Sequence, residues 1–372
     1  MRVTEVHFNH NPASHAGDAL TIRYGMGGAV IAAPEWRDGV SHPVAYTAQT
    51  LRNSFTVKAA FFGGPPNGTM EIRAVATEIG RERTLLPLGA VADPLGGMLP
   101  KVVAFGATGK SSLETFVIKP GPSDDLVGAH DLVWDWQLFH AGEWRSFGTT
   151  RHRIFVVAGH PTPPWAVRAS EVENLEWPWV EALELACAWA NGADTVELAT
   201  ERIVNVIHSL PNQVYNTASA FSDSTDDPFN LTSFMEEVKK PSFNNDCRGT
   251  AGAVVTFANL LGASLCRLQV FNNVITFNTR PVRLIGPAPP PNFGWGLNEW
   301  SFHELVTVQG VAVTEHLAVY DACLRLEDSP DNPVVRRPLG HVDPGGLDYL
   351  FKLIASGEDV ENRVVRAPRP LI

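Results

Sequence analysis

The chain changes texture at GHPTPPW, residues 159–165, and this break constrains its fold more than any other stretch. Before it, short segments rich in β-branched and aromatic residues alternate with turn chemistry. They are LTIRYG (20–25), SFTVKAAFF (54–62), TMEIRAVAT (69–77), ETFVIKP (114–120), DLVWDWQLF (131–139) and HRIFVV (152–157). GGPPNG, DPLGG, KPGPSDD and HAGEW lie between them and read as loops. Leu132, Trp134, Trp136 and Leu138 alternate with Val133, Asp135, Gln137 and Phe139, so one face is strongly apolar and the other mostly polar. Several such strands without a long helix predict a β-sandwich over residues 1–160, immunoglobulin-like in architecture.

Helical patterns follow the break, and the overall class expected is α+β. WVEALELACAWANG (179–192) carries Leu183, Ala186, Cys187 and Ala190 on one stripe and ends on glycine. Thr195 is a capping type before VELATERIVNVIHSL (196–210), which Pro211 closes, and NLTSFMEEVKK (230–240) is a shorter candidate. Strands are then expected at SLCRLQVF (264–271), SFHELVTV (301–308) and LAVYDACLRLE (317–327), with a Pro-rich loop at 284–296 and one helix at LDYLFKLIASG (347–357). Residues 161–372 read as a second domain.

Charge and composition exclude several classes of function. A formal net charge of −11 opposes sequence-independent nucleic-acid binding and attachment to anionic membranes. No run approaches the roughly 18–20 apolar residues of a membrane span, and MRVTEVHFNHNPASHAGD lacks an apolar signal core. The expectation is a cytoplasmic protein, or one exported by a route without an N-terminal signal. Four cysteines at irregular spacing suit a reducing compartment, and the absence of CxxC argues against structural zinc. His7, His10 and His15 lack a second group of ligands, so neither metal nor cofactor is expected. AFGATGKSS (104–112) fits a relaxed phosphate-loop pattern with Ala104 in place of the first glycine. Its β-branched and aromatic continuation reads instead as a strand after a turn.

Cys187, Cys266 and Cys323 lie in apolar stretches and read as core, but Cys247 precedes a helical run. Ala251, Val254, Val255, Ala258 and Leu261 follow helical spacing, Gly262 supplies the stop, and Asn244, Asn245 and Asp246 are capping types. A thiol at a helix N-terminus is expected to have its pKa lowered, although Asp246 opposes this unless its carboxylate caps the helix. Such a nucleophile needs a histidine and a group to orient it. His303 and Asp321 lie on candidate strands symmetrical about residue 312. A direct pairing would set them opposite one another, whereas a one-residue slip would send them to opposite faces.

The order of NNDCRGTAGAVVTFANLLGASLCRLQV, WSFHELVTV and HLAVYDACLRLE resembles the transglutaminase-like superfamily of papain-type thiol enzymes. The resemblance covers roughly residues 180–327. It implies that Cys247, His303 and Asp321 are catalytic. Attack on a carboxamide or peptide carbonyl of a protein or peptide substrate would give a thioester, resolved by an amine or by water. Asn245 and Tyr215 are oxyanion candidates beside the Cys247 amide, and Trp300 and Arg248 are substrate-binding candidates. Arg248 stands where the family often has an aromatic residue, while Trp300 and Phe302 supply aromatics near the histidine. The alternative is a non-catalytic scaffold that retains the fold, with Trp134, Trp136 and Trp144 packing the first domain or marking a partner surface.

Overall fold

The apolar alternation of residues 132–139 falls within a longer strand, Gly128–His140, in which Leu132, Trp134 and Trp136 are buried and Asp131 is exposed. The computed structural model describes residues 1–8, 19–79, 97–119, 127–165, 176–216, 221, 228–272, 276–286, 299–326, 332–340, 348–355 and 361–364. His10, His15, the KPGPSDD loop after Lys119 and most of the Pro-rich loop at 284–296 lie outside the described residues. Strands dominate, with six α-helices among the described residues, so the class is α+β. No helix there is long and apolar enough to cross a membrane.

The chain divides into two units, Met1–His160 with Trp177–Thr195, and Pro161–Glu176 with Val196–Ile372. Unit 1 contains two five-stranded sheets. In one, Arg2–His7 and Phe55–Phe62 pair antiparallel at the centre, with Glu114–Ile118 at one edge. In the other, Glu143–Val157 lies between Gly128–His140, antiparallel, and Val44–Thr47, parallel. Val6, Phe61 and Phe116 from the first sheet share one core with Trp134, Trp136 and Ile154 from the second. The helix Val180–Trp189 follows the Pro-rich break but packs within unit 1, against Gly128–His140 and Glu143–Val157. LTIRYG does not form the expected strand: only isolated bridges at Leu20 and Arg23 occur there. AFGATGKSS makes a tight turn, with Gly109 N–H donating to Gly106 O at 2.9 Å, and no helix follows it.

Unit 2 is built on a five-stranded antiparallel sheet in the order Val334–Pro338, Ala318–Asp321, Phe302–Val308, Leu265–Phe271 and Glu361–Val364. The helix Cys247–Leu260 lies against Phe302–Val308 and Leu265–Phe271 of that sheet and against the helix Val196–His208. Every residue of that helix except Arg248 is buried. The sequence stripe therefore understates its burial: glycine, alanine and threonine on the remaining faces let neighbours approach from all sides. Asp246 caps it by accepting from Gly249 N–H at 2.8 Å, and Gly262, at φ +102, ends it. Asn259 near its end ties Pro163 O and both backbone groups of Leu265, which fixes where the next strand begins.

Candidate functional site

Two short strands, Gln213–Tyr215 and Phe243–Asn245, pair in parallel and set Tyr215 opposite Asn245, just before the helix that carries Cys247. Asn245 is locked there. Its Oδ1 accepts from Asp246 N–H at 3.0 Å and its Nδ2 donates to Gln213 Oε1 at 3.2 Å. Gln213 in turn donates to the carbonyls of Ile207 and His208, at 2.6 and 3.1 Å. Much of the hydrogen-bonding capacity of Asn245 thus goes into holding the chain at the helix entrance. Gly249 packs against the same amide, because a Cβ there would stand 2.0 Å from Asn245 Oδ1. Gly249→Ala is therefore expected to cost about 1–3 kcal/mol of unfolding free energy, measured by urea denaturation.

His303 and Asp321 meet. His303 Nε2 lies 2.8 Å from Asp321 Oδ2, and both side chains are buried. The observed register pairs Val306 with Tyr320 and Thr307 with Val319. It is displaced by two residues from the direct pairing expected, so His303 reaches Asp321 along a diagonal. An even displacement keeps both on one face, which an odd one would not. The expected strand 317–327 breaks into Ala318–Asp321 and Leu324–Arg325. The break arises because Asp321 Oδ1 accepts from the amides of Cys323 and Leu324, at 2.8 and 3.2 Å, which turns the chain. Tyr349 O–H donates to Oδ2 at 2.7 Å. Asp321 therefore has four donors, which use the acceptor sites of both carboxyl oxygens. With Nε2–H facing that carboxylate, the proton-accepting nitrogen of His303 is Nδ1, which is buried without a hydrogen-bond partner among the described residues.

Cys247 belongs to the same apolar cluster as Tyr215, Trp300, Cys323 and Tyr349, and the backbone N–H of Glu304, next to His303, hydrogen-bonds its sulfur. The thiol does not have the lowered pKa expected from its place at the helix N-terminus. Burial pushes it well above the ordinary thiol value, and the carboxyls of Asp246 and Glu304 add to the rise. The residue is only 4% exposed, and desolvation of a thiolate outweighs the helix dipole. The resting group is a neutral thiol. Burial likewise raises Asp246 above the usual carboxylate range, against the lowering by Gly249 N–H and Arg248.

Trp300 packs edge-on against the His303 ring, with centroids 5.4 Å apart, and lies 6.2 Å from Tyr215. Its indole Nε1 is buried without a hydrogen-bond partner among the described residues. The Arg248 guanidinium sits 4.4 Å over the Phe302 ring. Sequence reasoning missed three polar members of this region. Buried Glu304 forms an ion pair at 3.6 Å with half-buried Arg267, and burial raises the pKa of the glutamate. A charged residue on the same strand face as Phe302, Val306 and Val308 was the available clue to Glu304. Tyr349, whose burial and proximity to Asp321 raise its pKa well above the ordinary value, lies in a segment read only as a helix.

No family model matches the chain, and no curated protein matches it. Among solved structures it is similar to the crystal structure of red sea bream transglutaminase, with a TM-score of 0.39 and 9% sequence identity. The match covers 77% of this chain and 50% of that one, so this chain spans about half the length of that protein.

Proposed function

We propose that the protein carries out thiol-dependent acyl transfer or hydrolysis on amide or peptide substrates, through a transglutaminase-like domain in unit 2 joined to a β-sandwich in unit 1. One observation carries the reading. A histidine bound to a fully hydrogen-bonded aspartate has its second nitrogen buried and unpartnered, while its neighbour's amide reaches the sulfur of a cysteine at a helix N-terminus. In this reading His303 Nδ1 takes the Cys247 proton as sulfur attacks the carbonyl carbon. The tetrahedral adduct collapses to a thioester, and the leaving amine or ammonia departs with that proton. An amine or water then gives its proton to Nδ1 and attacks the thioester, which releases the product and returns the proton to sulfur. The raised thiol pKa supports general-base attack in place of a resting thiolate. The Cys247 amide and Trp300 Nε1 are the donors we assign to the oxyanion, since the indole N–H has no other partner among the described residues.

The test incubates the full chain with glutamine-containing peptides, with and without a fluorescent primary amine, and follows intact mass and product. A thioester adduct on the wild type that is absent from Cys247→Ala is the expected result. Conjugated amine identifies transfer, whereas deamidated or cleaved peptide identifies hydrolysis. The burial of Cys247 favours a second reading, a scaffold that keeps the fold without turnover. A folded wild type that yields neither adduct nor product across the peptides would select that reading.

A further inference from the structure

Asp321 Oδ2 is shared between two donors. One is the His303 ring at 2.8 Å, and the other is the hydroxyl of Tyr349 at 2.7 Å, from the helix Tyr349–Leu353. The opposite oxygen is held by two backbone amides, so the carboxylate is fixed in rotation without the tyrosine. A hydroxyl on Oδ2 therefore does more than hold the carboxylate in place. It draws negative charge away from the oxygen that faces the imidazole, in a site without solvent to compete. Tyr349 is completely buried, so its hydroxyl has no water to turn to. A phenylalanine would fill the same space without the desolvation cost of an O–H, which singles out the hydroxyl as the feature requiring explanation.

We propose that Tyr349 is a positioning residue that sets the basicity of His303 by competing with the imidazole for Asp321 Oδ2. The proposal rests on the acyl-transfer reading for its purpose: a histidine that must accept a proton from Cys247 and return it works best when its imidazolium is not overstabilised. Removing the hydroxyl leaves the whole charge of Oδ2 to the ring, so the imidazolium becomes harder to deprotonate. Strengthening the donor does the reverse.

The test is a nitrogen-15 NMR titration of the full-length protein labelled at histidine, with the His303 resonances assigned by their loss in His303→Asn. In Tyr349→Phe the acid dissociation constant of the imidazolium is expected to fall about three- to tenfold. In protein carrying 3-fluorotyrosine at position 349, whose hydroxyl is the stronger donor, it is expected to rise. A residue that only fills space would leave the titration unmoved. Unchanged curves in both variants, or a shift of Tyr349→Phe in the opposite direction, overturn the proposal. If Tyr349→Phe does not fold, the fluorotyrosine arm decides alone by the same criterion. The titration requires no turnover, so an inert Cys247 would sink the acyl-transfer reading and leave this measurement to stand or fall separately.

Discussion

Asp321→Asn is expected to slow acyl-enzyme formation about 10³–10⁴-fold while the chain still folds. The size follows from what four donors demand of the side chain. Oδ1 accepts from the amides of Cys323 and Leu324, and Oδ2 accepts from Tyr349 O–H and His303 Nε2–H. Asparagine has one acceptor and one donor group. If its oxygen stays on the two amides, its NH₂ faces the ring, and His303 must turn Nε2 into an acceptor. The ring proton then moves to Nδ1, the nitrogen that our reading assigns to take the thiol proton, and the base is lost. If the amide flips, its NH₂ meets two backbone N–H groups in a buried site, which costs about 1–3 kcal/mol or more. The first arrangement wins, because tyrosine can turn its hydroxyl to accept where a backbone amide cannot. The rate is read from thioester accumulation by intact mass, and the tautomer from histidine nitrogen-15 shifts. A variant within tenfold of wild type, or one that retains a protonated Nε2, would contradict the assignment of roles.

The helix of Cys247 was legible in the sequence because its signals are local: a capping aspartate, helical spacing and a terminal glycine lie within 17 residues, 246–262. The strand face of residues 132–139 was legible for the same reason, since alternation needs no partner. Register was not. The observed pairing is centred on residue 313 and not 312, which displaces it by two positions, because the register depends on where the connection turns and not on the positions of His303 and Asp321. Alternation still determined the face, and the face sufficed to bring His303 to Asp321. The thiol's environment was misread for a different reason. A helix N-terminus is visible in sequence, whereas the desolvation that opposes it depends on how completely Tyr215, Trp300 and Tyr349 close around the cluster. Tyr349 lies 28 residues after Asp321 and carries no motif, so only the folded chain joins them.

His152→Phe is expected to remove a large part of the acid sensitivity of unit 1. His152 is buried between the rings of Phe8 and Trp134, whose centroids lie 4.9 and 4.8 Å away. Its Nε2 meets Thr150 Oγ1 at 2.7 Å, and Nδ1 has no hydrogen-bond partner among the described residues. Burial alone lowers its pKa from 6.5 to about 3. The folded chain therefore holds the ring neutral, while the unfolded chain protonates it below about pH 6.5. The sign is fixed by this order. The unfolded state binds the extra proton, so the group's contribution to stability is complete above pH 6.5 and is lost as pH falls toward 3. At pH 5 the loss is about 2 kcal/mol, and the limit at still lower pH is about 5 kcal/mol. Phenylalanine keeps a ring against Phe8 and Trp134 and removes the unpaired nitrogen, while Trp136 Nε1 still donates to Thr150 Oγ1. At pH 7.5 the variant should therefore lie within about 1.5 kcal/mol of wild type. Urea unfolding followed by tryptophan fluorescence reports on this region through Trp134 and Trp136, at pH 7.5 and pH 5. The difference between the two pH values should shrink by about 2 kcal/mol in the variant. An equal loss in both proteins would show that the buried imidazole does not govern the response of this unit to acid.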